Sequence, residues 1–102
     1  MDKPNIEIKT KDWEIVQKIL QTNIPQYQVW AFGSRVSGRA KPYSDLDLVV
    51  IADQPLDLGV SAALNEDFAE SDLAYKVDIV DWASLDESFQ KVIKDNKVIV
   101  QN

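Results

Sequence analysis

Phe32-Gly33-Ser34-Arg35-Val36-Ser37-Gly38-Arg39-Ala40-Lys41-Pro42-Tyr43-Ser44-Asp45-Leu46-Asp47-Leu48-Val49-Val50-Ile51 is the stretch whose reading decides the fold. It joins a glycine-containing basic turn to an apolar run that carries two carboxylates. Side chains alternate across a strand, so Asp45 and Asp47 share one face while Leu46 and Leu48 take the other. At ~3.3 Å rise per residue their α-carbons lie about 6.6 Å apart, close enough for the carboxylates to converge on one ion. Two ionised groups about 6 Å apart repel by roughly 2–3 kcal/mol at an effective dielectric near 20. A proton, a basic neighbour or a divalent cation relieves that repulsion, and only the cation makes the pair useful for phosphate chemistry. Taken alone, Asp-x-Asp also reads as a strand end with two solvated acids.

Gly33-Ser34 directly follows a strand candidate. Glycine permits close backbone approach, and N–H groups exposed at a turn or helix start bind phosphate oxygens. The serine hydroxyl adds a donor. Gly33 in isolation equally reads as a strand-ending glycine. Gly33 and Gly38 have the glycine spacing of a P-loop, but Arg39-Ala40 stands where Lys-Ser/Thr is required, which excludes that motif.

Upstream, residues 1–10 are polar apart from Ile6 and Ile8 and read as an extended lead-in. Thr10 can cap a helix over 11–22, with Asp12 in the first turn and Trp13, Val16, Ile19 and Leu20 as its apolar stripe. Pro25 ends it. Residues 26–32 read as a strand, 33–44 as a loop with a helical turn possible after Ser34, and 45–52 as a second strand buried on both faces. Downstream, Asp57 starts a helix over 57–70, where Val60, Leu64 and Phe68 recur every fourth residue. Residues 75–82 form a third strand. Ser84-x-x-Glu87 matches a capping box, and Leu85, Phe89, Val92 and Ile93 line one face of the helix that follows. Residues 98–100 are either a closing strand or a last piece of apolar packing. The order α-β-β-α-β-α predicts an α+β (mixed α/β) domain: a small mixed sheet packed with helices.

Asp78 stands between Val77 and Ile79 in the third strand, where an acid is costly to bury unless paired or metal-bound. Asp81 lies near the strand end and is open to simple solvation. Alternation lets only one of them join Asp45 and Asp47, and Asp78 is the choice.

The 102 residues make one small domain, 1–102, with 45% hydrophobic residues for its core. No apolar run approaches the ~20 residues that span a bilayer, and no signal-peptide pattern opens the chain, so a cytoplasmic protein is expected. Without cysteine or histidine, any metal site must use oxygen ligands, which favours magnesium or manganese over zinc. A formal charge of -6 argues against direct nucleic-acid binding. Yet residues 15–44 contain no Asp or Glu and hold Lys18, Arg35, Arg39 and Lys41. A basic loop beside an acidic strand suits an anionic ligand plus a cation.

Gly33-Ser34, the loop, Ser44-Asp45-Leu46-Asp47-Leu48 and Val77-Asp78-Ile79-Val80 together resemble the nucleotidyltransferase superfamily of DNA polymerase β. The form Gly-Ser-Arg-x-x-Gly…Ser-Asp-Leu-Asp-Leu is similar to its minimal nucleotidyltransferases, the antitoxin partners of HEPN-domain toxins. The likeness runs from about Trp13 to Val100. It implies the polymerase β-like fold, with Asp45 and Asp47 as the metal-binding pair and Asp78 as the third catalytic carboxylate. It further implies Gly33 and Ser34 as the phosphate-holding pair, with Arg35, Ser44 and, less directly, Arg39 near the nucleotide. The implied reaction is Mg2+-dependent (two ions, with Mn2+ an alternative) in-line attack on the α-phosphate of ATP, releasing pyrophosphate. The chain is too short to carry its own acceptor-binding domain, so another protein should present the acceptor in a homo- or hetero-oligomer. In the resembled family that partner is a helical HEPN toxin, modified on a tyrosine hydroxyl. Two alternatives stay open: neutralisation of the toxin by complex formation alone, or modification of a small-molecule alcohol.

Overall fold

A computed structural model describes residues 3–102. The elements are α1 (Thr10–Asn23), β1 (Gln28–Phe32), α2 (Ser34–Ser37), β2 (Leu46–Ile51), α3 (Leu58–Ala69), β3 (Val77–Asp81), a 3-10 turn (Trp82–Ser84), α4 (Glu87–Asn96) and β4 (Val98–Gln101). The strands form one mixed sheet in the order β3-β2-β1-β4. β1 runs antiparallel to both β2 and β4, and β2 runs parallel to β3. The mixed α+β architecture is the one the sequence pattern predicts, and residues 98–100 do belong to a strand.

Alternation along β1 and β2 sorts the two faces. Val29, Ala31, Leu46, Leu48 and Val50 are buried in one cluster with Trp13, Val16 and Leu20 of α1 and Leu64 and Phe68 of α3. Trp30, Phe32, Asp47 and Val49 alternate with them and take the other face, Trp30 opposite Val49 and Phe32 opposite Asp47. There Trp82 meets Trp30 edge-on at 5.2 Å and Phe89 of α4 meets Phe32 edge-on at 5.9 Å. Such aromatic pairs add stability beyond their buried area. One face of the sheet is therefore core, while the other is only partly covered and keeps Asp47 accessible.

Local capping differs from the sequence expectation at two helices. Thr10 is the first residue of α1; Lys9 holds the cap position and makes no side-chain cap bond. At α4 the capping box gives way to Asp86, whose Oδ1 accepts the Phe89 amide at 2.8 Å and the Ser88 hydroxyl at 2.7 Å. Ser84 is occupied in the 3-10 turn, which ends with the Leu85 amide on the Trp82 carbonyl. A carboxylate at the cap accepts more strongly than a serine hydroxyl, and these bonds hold Asp86 below its ordinary range. The lead-in also differs: Ile6 and Ile8 are core residues, and the Glu7 amide between them donates to the Arg35 carbonyl at 2.8 Å.

Candidate active site

The parallel pairing of β2 with β3 sets Asp47 beside Asp78 in register. Asp45 lies just before β2, two positions upstream of Asp47, and is exposed. Partial burial of Asp47 raises its pKa above the usual carboxylate value, and the charges of Asp78 and then Asp45 push it further the same way. The acids predicted to meet are thus close enough to feel one another. Asp78 is also ion-paired with Lys76 at 3.0 Å. Among the described residues no group of three acids closes to a metal-ligating geometry. Asp81 is spent elsewhere, accepting the Leu56 amide at 3.0 Å and tethering the segment that leads into α3.

Gly33 ends β1 with φ 80° and ψ -155°, a region open essentially to glycine alone. A Cβ at this position would overlap the Asp47 carboxylate. Both facts require glycine, and together they place the turn against the acid. The next amides with acceptors are those of Val36 and Ser37, which bond the Gly33 carbonyl at 3.1 and 3.0 Å. The Ser34 and Arg35 amides precede any intrahelical acceptor. Gly33 and Ser34 open onto a cleft of about 520 Å3 whose walls include Arg39 from the loop and Val92 and Asn96 from α4.

Arg35 and Ser44, expected at the nucleotide, hold the loop. Arg35 is 6% exposed. Its guanidinium donates to the carbonyls of Glu7 (2.7 Å), Ser44 (2.9 Å) and Pro42 (3.2 Å), and it lies 3.8 Å over the Tyr75 ring. A planar fork is suited to such a multi-carbonyl knot, which commits three of its five N–H donors to the loop. Ser44 Oγ accepts the Lys41 amide at 2.8 Å and closes the turn before Asp45. Arg39, the less direct of the two arginines on the sequence reading, is the one that lines the cleft.

The knot has members that sequence reasoning missed. Glu7 accepts the Ala40 amide at 3.0 Å through its side chain. The Tyr75 hydroxyl donates to Asp12 at 3.2 Å. Burial first, then the Asp12 charge, pushes Tyr75 up to about 12, against the opposing pull of Arg35. The one signal for this was the Ile6-Glu7-Ile8 alternation, which marks an extended segment with its acid facing away from the core.

The donor chemistry fits a hard divalent cation. Only oxygen ligands are present, and Asp47 resists ionisation through burial first and then the charges of Asp78 and Asp45, both of which a cation offsets. Asp45 and Asp47 are the acids that would hold it, while Asp78 is ion-paired with Lys76.

Residues 14–102 match the family described as polymerase beta, nucleotidyltransferase. The chain is 49% identical over 96 residues to a probable protein adenylyltransferase MntA of Haemophilus influenzae, covering 94% of this chain and 84% of that protein. It is similar to a crystal structure described as a toxin-antitoxin with AMP-PNP, at TM-score 0.73 and 27% identity over 89% of this chain and 73% of that one. A structure of a tri-AMPylated Shewanella oneidensis HEPN toxin in complex with MNT antitoxin aligns at TM-score 0.68 and 26% identity, over 93% of this chain and 73% of that one.

Proposed function

We propose that this chain, which belongs to the polymerase beta nucleotidyltransferase family, is a protein adenylyltransferase that moves AMP from ATP to a helical HEPN-type toxin and so acts as its antitoxin. The observation that carries the reading is the Asp47–Asp78 register beside Gly33, in a chain nearly half identical to a probable protein adenylyltransferase. The relatives with AMP-PNP and with a tri-AMPylated HEPN toxin supply the nucleotide and the acceptor class. No helix among the described residues is long and apolar enough to cross a membrane, and we place the reaction in the cytoplasm.

In this reading Gly33 and Ser34 hold phosphate oxygens through their backbone amides and the Ser34 hydroxyl. A tyrosine hydroxyl of the partner attacks the α-phosphate in line, the new P–O bond forms, and the bond to pyrophosphate breaks. Asp78 orients that hydroxyl and takes its proton. Asp45 and Asp47 would hold Mg2+, which when bound neutralises charge on the phosphate oxygens and on the attacking and leaving oxygens. Arg39 faces the cleft and offsets the charge of the phosphates, while Arg35 and Ser44 keep the loop in shape.

Intact-mass measurement of the partner toxin after incubation with this chain and Mg-ATP tests the proposal. The expected result is mass added in units of one adenylate, lost in Asp45→Asn and Asp47→Asn and lost on chelation. Undiminished transfer in both variants would refute it. The rival reading, neutralisation by binding alone, draws on the Asp78–Lys76 ion pair. It requires those same variants to inhibit the toxin as well as the wild type does.

A further inference from the structure

The nucleotide-transfer reading accounts for the phosphate end of the cleft and leaves its opposite wall unexplained. That wall is one face of α4. Phe89 packs edge-on against Phe32, the residue before Gly33 and the register partner of Asp47. Val92 follows three residues later and Asn96 four after that, the spacing that stacks side chains along one helix face. Val92 and Asn96 line the same cleft as Gly33 and Ser34. Val92 is 57% exposed although Ile93 beside it is buried. It is an apolar side chain held open at the cleft.

We propose that this face of α4 is the nucleobase subsite, in which Val92 forms the platform under an adenine ring and the Asn96 carboxamide reads the ring's edge. The assignment rests on the nucleotide-transfer reading, because the phosphate cradle at Gly33 and Ser34 fixes which end of the ligand enters where. A cleft of about 520 Å3 is within the roughly 300–1,000 Å3 of small-ligand pockets. A purine needs an apolar surface for its face and a few placed polar groups for its edge.

Asn96 supplies the edge with a defined polarity. Its Nδ2 donates to the Val92 carbonyl at 2.9 Å, which fixes the amide orientation. The carboxamide oxygen and the second Nδ2 hydrogen remain for a ligand. That acceptor–donor pair matches the N6 amino group and N7 of adenine, the bidentate pairing by which asparagine selects this base. Guanine offers O6 and N7 at the same edge, both acceptors, and sets O6 against the carboxamide oxygen. The geometry therefore discriminates by hydrogen-bond sign as well as by fit.

Calorimetric binding of Mg-ATP and Mg-GTP to the full chain tests this, with AMP transfer to the partner followed separately by mass. The wild type should bind ATP at least about tenfold more tightly than GTP. Asn96→Ala should weaken ATP about tenfold and leave GTP no weaker, erasing the preference. Val92→Ala should weaken both nucleotides by a similar factor, since a lost platform carries no hydrogen-bond sign. Both positions face the cleft from the helix surface, and circular dichroism checks that the variants fold. A preference unmoved by Asn96→Ala overturns the subsite, as does a wild type that binds ATP and GTP equally or neither. Asn96-dependent ATP preference without any transfer removes the enzyme reading and leaves the subsite standing. Transfer with an unmoved preference does the reverse.

Discussion

Gly33→Ala isolates the closest contact between the turn and the acids. The backbone at Gly33, φ 80° and ψ -155°, costs a non-glycine residue about 1–3 kcal/mol. The added Cβ also overlaps the Asp47 carboxylate, which must swing off its rotamer at a further ~0.5–1.5 kcal/mol. The sum is about 2–4 kcal/mol, a large part of the roughly 5–15 kcal/mol that holds a domain of this size. It should lower Tm by on the order of 10–25 °C. A displaced carboxylate should also cut AMP transfer about a hundredfold or more per folded molecule. Gly38→Ala is the matched control: Gly38 also has positive φ (83°), but nothing lies within 4 Å of an added Cβ. It should lose about 1–2 kcal/mol and keep its transfer rate. Urea unfolding gives the stabilities, and the transfer rate is read at a temperature where all three proteins are folded. If Gly33→Ala is as stable as the wild type, or transfers no more slowly than Gly38→Ala, the overlap has no functional meaning.

Asp47→Asn should lose transfer and gain stability. The folded chain raises the Asp47 pKa above 3.8, so it holds that proton more tightly than the unfolded chain does, and stability falls as pH rises through that interval. Above it the variant should be the more stable protein, with the difference vanishing at pH below the ordinary carboxylate value in unfolding curves. Arg35→Lys should cost about 2–3 kcal/mol in urea unfolding, because one ammonium cannot satisfy the Glu7, Pro42 and Ser44 carbonyls together. Ile8→Ala should cost about 2–4 kcal/mol by the same measurement, where a solvated lead-in would lose almost nothing. Phenolate absorbance should show one tyrosine titrating at about 12, absent in Tyr75→Phe. Since the raised value favours the neutral phenol, stability should fall as pH climbs from the ordinary tyrosine range toward it.

Short-range patterns carried most of the fold. The 3.6-residue stripe of α1, the period-two alternation of β2 and the glycine at the end of β1 are each written within a few neighbours. The alternation that separates Asp47 from Leu48 is why the acidic face was legible. What was not legible depends on where a loop turns. Arg35 and Arg39 are equally basic in sequence, but one turn of α2 directs Arg35 inward to Glu7 and Tyr75 and leaves Arg39 on the cleft. Ser44 was implied by the resemblance alone, and its place in the turn back to Lys41 is not written in any local pattern. The Ser84–Glu87 box failed for a similar reason: the 3-10 turn consumes Ser84 and passes the cap to Asp86. Burial of Ile6 and Ile8 needed the loop as a partner, which no local window contains.

The parallel join of β2 to β3 also sets a timetable. Asp45, Asp47 and Gly33 emerge from the ribosome together, but Asp78 follows only after the whole α3 crossover, and β4, which pairs with β1, arrives last. Non-local strand pairing of this kind is slow to form. A newborn chain therefore cannot assemble its acidic pair until β3 has emerged and docked beside β2.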